Sequence, residues 1–192
     1  MGGLDVEAFE RCIAEGGIAI FPTDTVYGVG CSSEDAEAIK RVHLIKGREQ
    51  SKPSATMYFS LQAALDHVTG TGRRTRAALE RLLPGPVTVV IDAAGQSRGL
   101  RVPRLEGRLE PLAAAKCAVF QTSANVVGGP DARRLPDVAP ELREAVDLQL
   151  DGGELPGIAS TVVDLSRYDQ DGSWRVLREG AMSAERIARV LE

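Results

Sequence analysis

The stretch GIAIFPTDTVYGVGCSSEDAEAIKRVHLIKGREQSKP, residues 17–53, decides the fold. Its apolar start, residues 18–21, predicts a buried strand, which ends at a proline because proline cannot donate a ladder hydrogen bond. A hydroxyl-rich turn is expected over residues 22–30. An amphipathic helix is expected to begin at Ser32 or the serine after it and to end at Lys46, because apolar residues recur there at three-to-four spacing.

Both ends of this unit carry groups that suit a ligand. The strand is followed by Thr23, Asp24 and Thr25, and the helix is followed by Lys46 and Arg48. Two glycines in the turn allow the backbone to approach another group closely. We expect the polar strand end and the cationic helix end to meet over one pocket, which would suit an anionic ligand.

Length and composition set the class of protein. The 192 residues favour one domain, spanning 1–192, with a sizeable core. Hydrophobic residues at 43% and charged residues at 26% are typical of a soluble globular protein, and the net charge of -4 argues against nucleic-acid binding over a broad basic face. Three cysteines without pairing or ligand spacing, and no membrane-length apolar run, predict a cytoplasmic protein with no membrane segment and no protein-held metal.

Predicted strands and helices interleave along the chain, which favours the α/β class: a single domain with one twisted, mixed sheet and helices packed on it. Strands are predicted over residues 18–21, 55–59, 87–91, 100–102, 117–120, 146–150, 158–165 and 174–177. Helices are predicted over residues 4–15, 32–46, 61–67, 75–83, 108–116, 137–145 and 183–191.

Motifs of familiar enzyme classes are missing. The sequence has no GxxxxGK[ST], no GxGxxG that opens a helix after a strand, no GxSxG, no CxxC and no HExxH. Any chemistry therefore does not depend on a P-loop, a dinucleotide fold, a familiar triad or a zinc site.

Polar residues recur instead at the ends of apolar strands, where ligands bind in open α/β sheets. They are Thr23, Thr25, Arg101, Thr122, Ser123, Asn125, Ser160, Thr161 and Arg178. Each group also has a purely structural alternative, which stays open here. The hydroxyls can close turns or cap a helix, and the cations can stabilise a helix end or form surface ion pairs.

The order of short motifs resembles that of the Sua5/YciO/YrdC family. The matching pieces are PTDTVYG (22–28), KGR (46–48), KP (52–53), PGPVT (84–88), LRVP (100–103), TSAN (122–125), AST (159–161) and LREG (177–180). The resemblance implies a YrdC-like fold, of the short form with one domain and a ligand pocket at strand ends.

The resemblance also implies an activity, that of a threonylcarbamoyl-AMP synthase. Such a nucleotidyltransferase joins L-threonine, bicarbonate or CO2, and ATP into threonylcarbamoyl-AMP and releases pyrophosphate, with Mg2+ arriving on ATP. This is the first step of tRNA threonylcarbamoyladenosine modification, and the product would pass to downstream tRNA threonylcarbamoyl-transferase proteins.

Site residues carried over from the family fall into two groups. Lys46 and Arg48 would be catalytic and grip the ATP phosphates, and the resemblance adds further ATP-binding positions: Ser97, Ser123, Asn125 and Arg178. The threonine-binding positions would be Thr23, Arg101, Thr122 and Ser160, with the Arg101 guanidinium binding the threonine carboxylate. The sequence departs from the family pattern at Met57, Gln121 and Asp131.

Three other functions remain alternatives. The pocket could serve an RNA-binding or ribosome-associated module with weak affinity for tRNA or another RNA, although aromatic stacking residues are scarce. A YciO-type paralogue would keep the fold with another substrate, but the retained KGR and TSAN motifs favour the synthase. A carbamoyl-transfer domain is a further alternative, typical of longer chains.

Overall fold

The computed structural model describes residues 4–47, 55–93, 95–126 and 128–192, and these contain nine strands and seven α-helices. The strands are β1 Ala19–Phe21, β2 Gly28–Ser32, β3 Ala55–Met57, β4 Val87–Ala93, β5 Gln96–Arg101, β6 Val119–Ser123, β7 Leu148–Gln149, β8 Thr161–Asp164 and β9 Arg175–Arg178. The helices are α1 Val6–Ala14, α2 Ala36–Ile45, α3 Leu61–His67, α4 Arg73–Leu82, α5 Pro140–Glu144, α6 Tyr168–Asp171 and α7 Ala184–Leu191.

All nine strands form one sheet in the order β7-β1-β2-β6-β3-β5-β4-β8-β9. Three neighbouring pairs are parallel, β1 with β7, β3 with β5 and β4 with β8, and the other five are antiparallel. The predicted α/β class with a mixed sheet is therefore confirmed.

Strand β2 is the largest difference from the predicted elements, because its residues were assigned to the turn and to the helix start. Its glycines do not bend the chain. Gly30 pairs with Ala19 on one side and Gln121 on the other, and a Cβ at Gly30 would lie 2.4 Å from the carbonyl oxygen of Phe120. The glycine is needed for close packing of β2 against β6.

Helix α2 begins later than predicted, at Ala36 rather than at Ser32 or Ser33. The N-cap is Asp35, whose carboxylate accepts hydrogen bonds from the backbone N–H groups of Glu37 and Ala38 at 3.0 Å each. An aspartate accepts hydrogen bonds from the free N–H groups of the first turn as well as a serine does. Asp35, which was expected inside the first turn, is therefore the N-cap of α2.

Two further segments differ in kind or extent. Strand β5 begins at Gln96, because its polar outer half pairs fully with β4 in an antiparallel hairpin. The α-helix predicted over residues 108–116 is instead a 3-10 helix, Gly107–Ala114, that contains Pro111. Proline cannot donate the backbone hydrogen bond of a regular α-helix interior.

One face of the sheet is covered by helices. Val87, Val89 and Ile91 alternate on β4 and are fully buried in a cluster with residues of α3, α4 and α7. Helix α2 extends this layer over β1 and β2. The alternate residues of β4 and its neighbours point to the opposite face, and there the site lies. No helix in the described ranges is long and apolar enough to cross a membrane.

Helix α4 is capped from a distant part of the chain. Its N-cap, Gly72, has no side chain, and Asp169 of α6 takes that role by accepting hydrogen bonds from the N–H groups of Gly72, Arg74 and Thr75 at 2.9, 3.0 and 3.2 Å. Burial alone would raise the pKa of Asp169, but the bonds from Thr75, Gly72 and Arg74 outweigh it and hold the pKa below its ordinary value.

We therefore expect Asp169→Ala to lower the free energy of unfolding by about 1–2 kcal/mol at pH 7, as the loss of an N-cap does. Because the pKa is lower in the folded than in the unfolded chain, this contribution is present above the ordinary carboxylate pKa. It should disappear as the pH falls through the lowered pKa of the folded protein. Urea unfolding at pH 7 and at acidic pH measures both effects, and Asp169→Asn should cost less because its amide oxygen still accepts. A pH-independent difference would contradict this account.

Candidate active site

A cavity of about 480 Å3 lies over the central strands, on the face opposite to α2, α3, α4 and α7. Another part of this face is covered by α1, where Phe9 packs with Phe21 and Met57. Alternate residues of the central strands line its floor, as the two-residue period of a strand requires. These floor residues are Thr88 and Val90 of β4, Ser97, Gly99 and Arg101 of β5, Gln121 and Ser123 of β6, Ala55 of β3 and Val162 of β8.

The structure brings most of the predicted site residues together. Eight of them line the cavity: Lys46, Ser97, Arg101, Thr122, Ser123, Asn125, Ser160 and Arg178. Thr23 lies behind the wall, where it contacts Arg101. Arg48 lies outside the described residues. The sequence predicted a pocket at strand ends, and Arg101, Ser123 and Arg178 are indeed the last residues of their strands. The floor of the cavity, however, also extends along the strands.

One end of the cavity is formed where α2 meets the end of β6. Lys46, only 4% exposed, donates from Nζ to Thr122 Oγ1 at 3.2 Å, to Asn125 Oδ1 at 3.4 Å and to the carbonyl of Ser123. Asn125 is fixed in turn, because Ser123 Oγ donates to its Oδ1 at 2.7 Å and its Nδ2 donates to Gly129 O at 2.8 Å. These contacts place a cation and two neutral polar groups on one small surface.

The other end is organised around Arg101, which is 3% exposed. The loop between β1 and β2 reaches over the sheet to it, although β6 and β3 lie between β2 and β5. Arg101 Nη2 donates to Asp24 Oδ1 at 2.6 Å, to Thr25 Oγ1 at 2.7 Å and to Thr23 Oγ1 at 3.4 Å. The second oxygen of Asp24 accepts from the backbone N–H of Arg104 at 2.9 Å.

These contacts leave one buried donor of Arg101 for another molecule. Its Nε–H is buried and has no acceptor within the part of the chain that the structure describes. Burial lowers the pKa of the guanidinium and the nearby Asp24 carboxylate raises it, with a net decrease. Arginine keeps its charge at neutral pH even so, and an unsatisfied buried N–H carries a free-energy cost that an anionic ligand would remove.

A third group completes the wall. The hydroxyls of Thr88 and Ser160 lie 2.8 Å apart, and Arg178 Nη2 donates to the carbonyl oxygen of Ser160 at 2.7 Å. Arg178 faces the cavity because of a bulge in β9. Val176 pairs with Val163 and Arg178 with Val162, which leaves Leu177 as the extra residue. In a regular strand Arg178 would share the core-facing side of Val176.

Three cavity residues with polar side chains were missing from the predicted site. Thr25 was recognised as a polar strand end but was not assigned a ligand, and Thr88 lies inside the matched PGPVT motif. Gln121 was recognised only as a departure from the family pattern. Alternation along β4 and β6 is the signal that would have found Thr88 and Gln121, because it places them on the face of residues already selected. Met57, another departure, is fully buried against Phe9 and Phe21 and does not line the cavity.

The described residues contain no cluster of three or more His, Cys, Asp or Glu side chains that could hold a metal ion. The one carboxylate beside Arg101, that of Asp24, has both oxygens engaged by protein donors. The donor set of the cavity therefore consists of cations, hydroxyls and amides, which suit an anionic ligand with several oxygen atoms.

Comparison with known proteins gives a consistent result. The family model Sua5_yciO_yrdC, described as telomere recombination, matches residues 11–180. The threonylcarbamoyl-AMP synthase of Pyrococcus abyssi is 28% identical over 190 residues, which cover 93% of this chain and 55% of the relative. That of Nitrosococcus oceani is 35% identical over 159 residues, 74% of this chain and 82% of the relative. The chain thus spans about half the length of the Pyrococcus relative.

Solved structures show the same fold. Sua5 of P. abyssi in complex with L-threonine superposes with a TM-score of 0.81 at 28% identity, over 96% of this chain and 56% of that one. YciO of E. coli, at 23% identity, superposes with a TM-score of 0.79 over 95% of this chain and 92% of that one, a likeness of fold.

Proposed function

The chain belongs to the Sua5/YciO/YrdC family, and from this premise we propose that it is an L-threonylcarbamoyladenylate synthase. It would convert L-threonine, bicarbonate or CO2, and ATP into threonylcarbamoyl-AMP and pyrophosphate, as the first step of tRNA threonylcarbamoyladenosine modification. The names of the relatives support this, since those from P. abyssi and N. oceani are threonylcarbamoyl-AMP synthases. Residues 1–192 would act as one domain.

The observation that carries the proposal is the pair of cationic ends in one cavity. Arg101 offers a buried Nε–H that has no acceptor among the described residues, and Lys46 lies at the other end beside Ser123 and Asn125. A carboxylate on Arg101 and phosphates on Lys46 would satisfy both ends at once. Threonine carries the carboxylate and ATP carries the phosphates. The point at which the two substrates join would then lie between Arg101 and Lys46.

The reaction follows from this arrangement. The threonine ammonium loses a proton to solvent, and its nitrogen forms a bond to the carbon of CO2, releasing a second proton and leaving a carbamate anion. A carbamate oxygen then attacks the α-phosphorus, and the bond from that phosphorus to the β-phosphate oxygen breaks, with the electron pair leaving on pyrophosphate. When bicarbonate is the source, its conversion to CO2 consumes one proton and releases water.

Catalysis in this scheme depends on position and charge. Lys46, with Arg48, would neutralise the charge that builds on pyrophosphate, and Ser97, Ser123, Asn125 and Arg178 would hold the nucleotide. Arg101, Thr23, Thr122 and Ser160 would hold threonine. Mg2+ would enter with ATP as part of that substrate and keep mostly water and phosphate ligands. A cytoplasmic location and transfer of the product to downstream tRNA-modifying proteins belong to the same proposal.

Pyrophosphate release from Mg-ATP tests the function. We expect release only when both L-threonine and bicarbonate are present, because the attacking carbamate needs both. Release without threonine would contradict the named reaction while keeping a nucleotide site. No release from folded protein would overturn the synthase and favour a paralogue with another substrate or an RNA-binding module, the latter shown by RNA affinity that falls steeply with salt.

A further inference from the structure

The middle of the cavity floor contains one polar side chain. Val90, Gly99, Ala55 and Gln121 lie side by side across β4, β5, β3 and β6, because each is the register partner of the next. All four line the cavity. Glycine and alanine leave open space above the sheet, and valine offers no hydrogen bond. Gln121 is therefore the residue of this row that can bind a polar ligand group.

Gln121 lies between the two ends of the site. On β6, Ser123 follows it by two residues on the same face, toward the end occupied by Lys46. In the other direction, Arg101 pairs with Met57 of β3, and Met57 pairs with Val119 of β6, which lies two residues before Gln121. Two residues along a strand span roughly 6–7 Å, so Gln121 is offset by about one such step from each end along the strand direction. Arg101 lies in addition two strands across the sheet from Gln121, and neighbouring strands are roughly 4.8 Å apart.

The carboxamide of Gln121 is available to a ligand. Its side chain is partly buried, and it makes no hydrogen bond to any group in the described ranges 4–47, 55–93, 95–126 and 128–192. It lies over Gly28 of β2, where a Cβ would come within 2.8 Å of Gln121 Nε2. The glycine at position 28 therefore provides the space that the carboxamide occupies.

We propose that Gln121 is a catalytic residue that contacts the junction between threonine and nucleotide. This inference rests on the proposed function. With the threonine carboxylate at Arg101 and the phosphates at Lys46, the carbamate and the α-phosphate lie over the middle row. There Gln121 Nε2–H donates to an oxygen of the reacting group, on which negative charge redistributes as the new bond to phosphorus forms.

An amide suits this position for a physical reason. It donates a hydrogen bond without changing its own protonation, so it neither supplies nor takes a proton in the step. A donor that meets charge as it develops lowers the barrier more than it strengthens binding of either separate substrate. A carboxylate of the same shape would repel both the carbamate and the phosphate.

The kinetic test uses Gln121→Ala and Gln121→Glu. We expect kcat to fall at least about tenfold in the first variant and about 100-fold or more in the second, because oxyanion donors contribute on that scale. The KM values for L-threonine and ATP should stay within roughly threefold of wild type, since neither substrate alone fills the junction. Gln170→Glu, an exposed glutamine on α6, is the matched charge control and should behave as wild type.

A binding test separates this inference from the proposed function. The probe is 5′-O-[N-(L-threonylcarbamoyl)sulfamoyl]adenosine, a stable molecule that joins the threonine nitrogen to adenosine through a carbonyl and a sulfamate and leaves the threonine carboxylate free, measured by calorimetry beside AMP and L-threonine. We expect Gln121→Ala to weaken the probe by roughly tenfold and the two separate ligands by less than about threefold.

The outcomes are distinct. Equal affinity of the probe for wild type and Gln121→Ala would overturn the role of Gln121, even if wild type releases pyrophosphate as expected. Selective weakening of the probe would support contact of Gln121 with the junction; if wild type then releases no pyrophosphate, the synthase reaction and with it the catalytic role are overturned. Unchanged thermal unfolding of the variants excludes loss of the fold, as expected for a side chain that makes no hydrogen bond to the described part of the chain.

Discussion

Lys46→Ala should reduce threonine-dependent pyrophosphate release by about 100-fold or more, while the protein still folds. The side chain is 4% exposed and its Nζ lies among Thr122, Ser123 and Asn125, which holds its charge at that end of the cavity. Removing it leaves the charge of the departing pyrophosphate without this partner. A steady-state assay with saturating ATP, threonine and bicarbonate measures the loss.

Lys40 of the same helix is the matched control. It is exposed and pairs with Glu37 on the protein surface, so Lys40→Ala should keep the wild-type rate. Lys46→Arg keeps the charge but not its shape, and should recover only part of the activity. The family resemblance predicts the same loss for Arg48→Ala. Wild-type rates in both Lys46→Ala and Arg48→Ala would contradict the proposed role of these two residues in phosphate binding.

Arg101→Ala should lower the free energy of unfolding by about 3–5 kcal/mol, because it leaves a buried charge without its partner. The carboxylate of Asp24 is 9% exposed and lies 2.6 Å from Arg101 Nη2. The same variant should also raise the KM for L-threonine, since the buried Nε–H is lost. Urea unfolding and initial rates at varied threonine measure the two effects independently.

A double-mutant cycle identifies the cause of this loss. Asp24→Asn combined with Arg101→Gln removes both charges, so the pair should cost clearly less than the sum of the single variants. Arg133→Ala, which breaks an exposed ion pair with Glu154, should cost no more than about 1 kcal/mol. Additive losses at Asp24 and Arg101 would show that the buried pair contributes nothing beyond its separate groups.

The elements that could be predicted from sequence are those with a strong period or a strong cap. Alternation in β4 and the apolar stripe of α2 depend only on local spacing, and Ser183 caps α7 as expected. Strand β2 could not be predicted in this way, because its glycines are needed only when β6 packs against them. Its partner lies about ninety residues further along the chain, as the register of Gly30 with Gln121 shows.

In the candidate site, too, local motifs could be predicted from the sequence and long-range contacts could not. The order of the motifs was enough to select Lys46, Arg101 and Ser123, and the cavity does unite them. The pairing of Arg101 with Asp24 was not predictable, because it depends on a loop that crosses two strands. Gln121 lacked any motif, and only the register of four strands places it between the two ends.

The reach of the β1–β2 loop also has a kinetic consequence. Its bond to Arg101 joins groups 77 residues apart, and the strands between them, β6 and β3, must already be in place. Contacts of such long sequence separation form only after the entropy of closing large chain loops has been overcome, which is slow in folding. The end of the site around Arg101 should therefore appear late on the folding pathway. A ligand that binds there would slow unfolding more than it speeds folding.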